Sequence, residues 1–408
     1  MKFLHAADIH LDSPLAGIAR RDPALAELTA ACTRRAFRNM IDLAIAEEVA
    51  FLLIAGDLYD ADWKDHGTGL FFAAEMRRLG RPCLVIHGNH DATSVVTKTL
   101  QLPDNVTVLR SRAPQSVVLA EHGAVVHGQS FPNRAVPEDL AAGYPAPVPG
   151  LFNIGLLHSS VEDPGAHASY APCRLETLVN KGYQYWALGH IHTRATLHEA
   201  PWVHFPGNPQ GRHVRETGSR GATLVEVRDG RATLTHHATD VLRWAAVAVD
   251  AGGADSPAEL AARLRFALAA AQLEGQGRPL IARVTLHGAT ALHAGLVADP
   301  AAIEAECHNA AAAAGEGLHI ERVRIATALP GSGGGGGDLG ALEQAFRAAL
   351  AAPGQAEALL ADFARLRAAI PSGAEAGLPG SVQELQVLQD DAWQLVRHAL
   401  DGHLGAGA

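Results

Sequence analysis

Five largely apolar runs punctuate the first half of the chain, and each gives way abruptly to a residue that can donate a lone pair. They are Phe3–Ala7 before Asp8, Phe51–Gly56 before Asp57, Cys83–Ile86 before His87-Gly-Asn89-His90-Asp91, Leu151–Leu157 before His158, and Tyr185–Leu188 before Gly189-His190-Ile-His192. Apolar on consecutive positions, these runs predict strands buried on both faces. Helix-period stretches, Pro23–Val49 and Gly69–Leu79 among them, separate the strands. The alternation predicts an α/β sandwich over residues 1–245. Further strand-like runs near Trp202–Phe205, Ala222–Val227 and Ala232–His236 are expected to complete a second sheet, and Pro-rich Tyr144–Pro149 reads as a loop.

The pattern changes after residue 245. Strands near Ala245–Val249, Leu280–Leu286 and Leu318–Ile325 alternate with helices starting at Pro257 and Pro300, a small βαβαβ unit over residues 246–330. Ser256, Pro257 and Glu259 supply a cap, a pre-set first helical residue and a reciprocal acceptor. A Gly-rich linker, residues 331–337, leads into a helical tail, residues 338–408. There Leu359, Phe363, Leu366 and Ile370 form one apolar stripe. Leu385, Leu388, Ala392, Leu395 and Ala399, behind the capping box Ser381–Glu384, form another. Such stripes fit either a hairpin packed on its own domain or a docking site for a partner's coiled coil; the Gly linker favours docking.

Ligands in α/β sheets gather beyond the strand ends. Two Asp, one Asn and several His delivered there in series make the composition of a two-metal hydrolase, although each alone would pass for a turn or a satisfied polar residue. Asp57, after a long buried strand and a Gly that admits close approach, is the natural bridge between two ions. Asp8 and His10 sit two apart, so they share a face at a strand end, and His190 and His192 repeat that spacing. His90, beside Asn89, cannot easily reach the same ion. Oriented by Asp91 or Asp12, it is instead a candidate proton donor. His5, His87, His127, His204, His236 and His237 are read as structural or surface residues, with His87 and His204 nearest to the motifs. Arg212, His213 and Arg215 fit either phosphate positioning or a surface loop, and Arg34, Arg35 and Arg38 a solvated helix face.

Taken in order, Asp8-Ile-His10, Gly56-Asp57, Gly88-Asn89-His90-Asp91, His158 and Gly189-His190-Ile-His192 resemble the five signature motifs of calcineurin-like metallophosphoesterases. The opening Lys2–Pro14, Gly56–Asp60 and Phe205–His213 are similar to the SbcD/YhaO-type DNA repair exonucleases within that superfamily. The resemblance covers residues 1–245 by motif and the remainder by layout. It implies a metallophosphoesterase-type sandwich, a small capping domain that helps to position DNA, and a tail that binds an SbcC-like coiled-coil ATPase. It further implies one ion on Asp8, His10, Asp57 and His192, and another on Asp57, Asn89, His158 and His190. Mn²⁺ is the favoured metal, Fe²⁺ and Zn²⁺ also suiting such donors. His90 carries the transition-state role, with Asp57 and Asp91 beside it in the catalytic set. The activity implied is 3′-to-5′ exonuclease action on DNA, with some endonuclease action.

Composition bounds this reading without deciding it. The chain has 408 residues, enough for two or three domains. Four scattered cysteines predict neither a disulfide framework nor a cysteine metal site. Without a leader-like start or a membrane-length apolar run, a soluble cytoplasmic protein that does not enter a membrane is expected. The net charge of −10 argues against a nucleic-acid partner until it is mapped. Residues 1–245 carry 23 Lys and Arg against 25 Asp and Glu, net −2; residues 246–408 carry 10 against 18, net −8. Charge therefore permits DNA without arguing for it. Two rivals stand beside the nuclease: a nucleotide or small-molecule phosphoesterase, and a non-catalytic scaffold for an ATPase. Whether two copies pair as a homodimer is left open.

Overall fold

The computed structural model describes residues 1–13, 15, 29, 31–60, 66–93, 101–161, 171–330, 337–351, 354–369 and 378–404. The linker before Gly337, the opening of the helix expected from Pro23, and Ile370 lie outside the described residues, as do the side chains of Leu395 and Ala399. Up to Ala238 the elements are β1 (Lys2–Ala6), α1 (Cys32–Ala46), β2 (Phe51–Ala55), α2 (His66–Leu79), β3 (Cys83–Ile86), β4 (Val106–Val108), β5 (Gln115–Leu119) and β6 (Ala124–Gly128). There follow β7 (Phe152–His158), α3 (Leu175–Val179), β8 (Tyr185–Gly189), β9 (Ala195–Glu199), β10 (Trp202–Phe205), β11 (Gly221–Arg228) and β12 (Arg231–Ala238). They form two six-stranded sheets, ordered β12-β11-β1-β2-β3-β4 and β5-β6-β7-β8-β10-β9.

Period-two alternation assigns each strand's side chains to two cores. Leu4, Ala6, Leu52, Ile54 and Val85 pack with Phe37, Met40 and Ile41 of α1 and Phe72 and Met76 of α2. Phe3, Phe51, Leu53, Leu84 and Ile86 pack against Ala124, Val126, Ile154, Leu156 and Tyr185 of the other sheet. Each large side chain so buried contributes roughly 1.5–3 kcal/mol, which lets the sandwich carry a charged, strained cluster at its edge. β1, β2 and β3 pair in parallel, Leu4 with Leu52 and Leu52 with Cys83. β7 and β8 are also parallel, with His158 opposite Gly189. The ends of the motif-bearing strands therefore lie side by side in each sheet.

One expectation is corrected. β11 and β12 do not extend the second sheet; β11 joins the first, antiparallel to β1, with Leu4 opposite Leu224. Both faces of β11 are apolar, Leu224 serving the helix-side core and Val225 the core between the sheets. A run buried on both faces cannot tell from its sequence which sheet it enters.

The smaller region runs β13 (Arg243–Asp250), α4 (Pro257–Glu274), β14 (Leu280–Ala289), α5 (His293–Ala298), α6 (Pro300–Ala314) and β15 (Leu318–Ala328), with strand order β13-β14-β15. The Ser256 hydroxyl accepts Glu259 N at 3.3 Å, as a helix cap should. The tail contains α7 (Gly337–Leu350), α8 (Gln355–Ala369) and α9 (Val382–Leu404). Phe346 of α7 packs on Trp393 of α9 with ring centres 5.4 Å apart. Leu366 and Leu388, each assigned to an apolar stripe, are exposed. By compactness the chain divides into Met1–Val247 with Leu268–Arg283 and Ala311–Arg322, and Ala248–Ala267 with Val284–Ala310 and Val323–Ala408. Among the described residues no helix is long and apolar enough to cross a membrane.

Candidate metal centre

Strand ends deliver the cluster through an unusual backbone. Asp8, His10, Asp57 and His190 all have positive φ (52°, 44°, 51° and 104°), a region that costs non-glycine residues energy and persists where surroundings enforce it. Here the enforcement is visible. Asp8 N donates to Gly56 O and His10 N to Asp57 O, each at 3.0 Å, locking the β1 and β2 loops together. His190 N donates to both Asp8 carboxylate oxygens at 3.0 Å.

Asp57 stands at the middle. Its Oδ2 lies 3.8 Å from His10 Nε2 and 3.6 Å from His158 Nε2, while Oδ1 accepts His90 N at 3.0 Å. His158 donates from Nδ1 to Ala55 O at 2.9 Å, which leaves the Nε2 lone pair facing Asn89 Oδ1 at 3.0 Å. His192 donates from Nδ1 to Glu216 Oε1 at 2.6 Å, so its Nε2 lone pair faces His10 Nε2 at 3.3 Å. His10 Nδ1 is buried without a partner. The His158 and His190 rings meet edge to face, centres 5.1 Å apart. Asp8, His10 and His192 form one compact donor set, and Asp8, Asp57 and His158 another. The structure thus brings Asp8, His10, Asp57, Asn89, His158, His190 and His192 to one place.

These residues fit two divalent cations. At His158 the Nε2 lone pair faces the Asn89 oxygen, which is unfavourable unless a proton or a cation lies between, and burial holds His158 well below the usual histidine range, so a second proton does not serve. Burial, and then the Asp57 charge, lifts Asp8 well above the usual carboxylate range; burial, then Asp91, pushes Asp57 up to about 7. Positive charge between these groups relieves every one of those penalties. Space is reserved as well. A Cβ on Gly56 would lie 2.4 Å from His158 Nδ1, one on Gly88 2.3 Å from Asp57 Oδ1, and one on Gly189 1.8 Å from Ala55 O.

His90 lies beside the centre, its ring edge to face with that of His10, centres 4.9 Å apart. Neither carboxylate proposed to orient it does so. Asp91 spends its oxygens on Leu58 N, Tyr59 N and Gly88 N, at 2.8–3.1 Å, and so positions the loops rather than the chemistry. Asp12 is gripped by Arg34 through Nε and Nη2, which also removes Arg34 from the solvated face expected of it. The partner is Asp60, whose Oδ1 meets His90 Nδ1 at 2.9 Å. That bond raises His90 above the usual histidine value and depresses Asp60 in return. Asp60 and Glu216 are the residues that motif reading passed over. Asp60 sits in the same strand-end segment as Asp57, three residues on; Glu216 carries no local signal and is found only through space. Burial alone would raise the Glu216 carboxyl, but the His192 bond and charge, with the Arg212 amide and charge, bring it down to about 2.

The class follows from this geometry and from likeness together. A model described as calcineurin-like phosphoesterase matches residues 1–194, and one described as the middle domain of metallophosphoesterase YhaO matches residues 244–328. The chain belongs to the calcineurin-like metallophosphoesterase family, hydrolases built around metal ions. It is 35% identical over 295 residues to an uncharacterized metallophosphoesterase, YhaO, of Bacillus subtilis, covering 71% of this chain and 72% of that one. It is 25% identical over 205 residues to the DNA double-strand break repair protein Mre11 of Saccharolobus solfataricus, covering 48% of this chain and 51% of that protein. The chain thus spans about half of that archaeal relative. A crystal structure of a dimetal phosphatase from Danio rerio matches with 11% identity and a TM-score of 0.38, over 59% of this chain and 96% of that one.

Proposed function

We propose that the protein is a two-metal phosphodiesterase that cleaves DNA, acting as a 3′-to-5′ exonuclease with some endonuclease action in DNA repair. In this reading it is the nuclease subunit for an SbcC-like coiled-coil ATPase docked on α7–α9, and Mn²⁺ is its working metal. One observation carries the chemistry: Asp57 Oδ2 stands between His10 Nε2 and His158 Nε2, where one carboxylate oxygen can serve both halves of the centre. The Mre11 relatives, named for double-strand break repair, support DNA as the substrate.

Two divalent ions, when bound, polarise the phosphorus and activate water for in-line attack. Asp8, His10, Asp57 and His192 would hold one, and Asp57, Asn89, His158 and His190 the other. His90, tied by Nδ1 to Asp60, holds its transferable proton at Nε2 and passes it to the departing 3′ oxygen. Glu216 keeps His192 in the tautomer whose Nε2 is unprotonated.

The test is Mn²⁺-dependent release of nucleotides from end-labelled duplex and single-stranded DNA by the full chain, with Asp57→Ala alongside. Expected is cleavage that falls on the order of 10³-fold in the variant. Hydrolysis of nucleotides or generic phosphodiesters with DNA left intact would replace the nuclease by a small-molecule phosphoesterase.

A further inference from the structure

The segment after Phe205-Pro-Gly-Asn folds back over the centre, and it carries one cation inward. Arg212 N donates to Glu216 Oε2 at 2.7 Å, while the other oxygen of that carboxylate holds His192. At the far end of the side chain, Arg212 Nη1 donates to the Ser13 hydroxyl at 3.1 Å and lies 3.5 Å from Asp60 Oδ2. Arg212 Nε is buried without a partner. Arg34 shows what a structural arginine looks like here, with Nε and Nη2 both spent on the Asp12 carboxylate. Arg212 has five donors, one good acceptor, and a side chain only 17% exposed. It is held from its backbone and from its tip, between the carboxylate behind a candidate metal ligand and the carboxylate behind the candidate proton donor.

Charge counting gives that placement a purpose. Four carboxylates touch the histidines of the centre: Asp8, Asp57, Asp60 and Glu216. Two divalent ions would cancel those four charges, and Arg212 offsets the buried Asp91 beyond Asp57, so the cluster is near neutral when a phosphate arrives. A phosphodiester arrives with one negative charge and gains another as a nucleophile adds to phosphorus, and a planar guanidinium suits such oxygens. We propose that Arg212 binds a non-bridging oxygen of the substrate phosphate, held in position by Glu216, Ser13 and Asp60. The inference rests on reading the centre as a two-metal phosphoesterase site, and it does not need the substrate to be DNA. His213, 54% exposed, and Arg215, also exposed, fall outside it, so the sequence triplet resolves to one residue.

The experiment titrates inorganic phosphate into the metal-loaded full chain by calorimetry and repeats it as competition against bis(p-nitrophenyl) phosphate hydrolysis, with bound metal counted by mass spectrometry. Arg212→Ala is expected to keep wild-type metal content and to weaken phosphate about tenfold to a hundredfold. Arg212→Lys should recover part of that loss, and Arg215→Ala should match the wild type. Wild-type phosphate affinity in Arg212→Ala at full metal content would overturn the inference. So would loss of metal in both Arg212→Ala and Arg212→Lys, which would make the residue a prop for the site. Arg212-dependent phosphate binding in a chain that leaves DNA intact would support the inference and remove only the nuclease. No phosphate binding by the metal-loaded wild type would overturn both the inference and the reading beneath it.

Discussion

Among the described residues of the two large sheets, buried histidines fall into two groups with opposite bookkeeping. In the sheet interior three rings have a partner at both nitrogens. His5 meets Tyr185 Oη and Leu188 O, His127 meets Ser116 Oγ and Asn153 Oδ1, and His204 meets the hydroxyls of Thr196 and Thr223, all at 2.7–3.1 Å. At the strand ends, equally buried rings are left short: His10 Nδ1 has no partner, and His158 Nε2 faces the Asn89 oxygen. The first set is complete as folded. The second is complete only with positive charge added, so burial of a histidine says little until the partners of both nitrogens are known.

Ways to break that contrast begin with the largest effect. His90 belongs to neither set, one nitrogen being committed to Asp60, and it should matter to chemistry alone. His90→Asn should slow cleavage about 10²- to 10⁴-fold while metal content stays at the wild-type level. The deficit should shrink on a p-nitrophenyl ester, whose leaving group needs no proton; an equal deficit on both substrates would remove the proton-donor role. Next comes stability of the metal-free chain in denaturant. His204→Ala strands the buried Thr223 hydroxyl and empties a buried ring, and should cost about 2–4 kcal/mol. His10→Ala removes an unsatisfied group and should cost less than half as much, yet abolish most of the stabilisation that added Mn²⁺ gives the wild type, about 2.7 kcal/mol at a hundred times the dissociation constant. Similar losses from both variants without metal would erase the distinction.

The smallest effect is a pH limb. Burial, and then Arg194 and His236, lowers His204 to about 3, whereas in the unfolded chain it titrates near 6.5. The unfolded state therefore takes up a proton that the native state refuses. The stability from this site is intact above about pH 6.5 and is lost as pH falls towards 3, at about 1.4 kcal/mol per unit. Metal-free wild type and His204→Gln, unfolded in urea at pH 7.5, 6.5 and 5.5, should converge as pH falls. Parallel losses would show that His204 titrates normally.

Much of this was legible in the sequence because the signals are local. A buried strand is a short apolar run, a turn-and-ligand is a Gly followed by Asp, Asn or His, and their order along the chain sets the motif. What stayed illegible depends on through-space pairing. The two faces of β11 are both apolar, so its sheet could not be chosen. Asp12, Asp60 and Asp91 are alike in composition, and only the folded loops decide that Asp60 meets His90 while Asp91 caps three amides. Glu216 reaches His192 across 24 residues of sequence with nothing local to announce it.

Three glycines from three strand-end loops, Gly56, Gly88 and Gly189, leave the space in which the His158 imidazole and its neighbours fit. The mutational landscape around the centre must therefore be epistatic. An alanine at any one of them acts on the candidate ligands through volume, without replacing a donor residue. At Gly88 a methyl would crowd both the Asp57 and His158 side chains, so making room for it would take smaller residues at both positions and forfeit two candidate ligands. At Gly189 the obstacle is the Ala55 carbonyl, which no side-chain change can move. This edge is thereby constrained from several sides at once, each glycine held in place by a residue from another strand end.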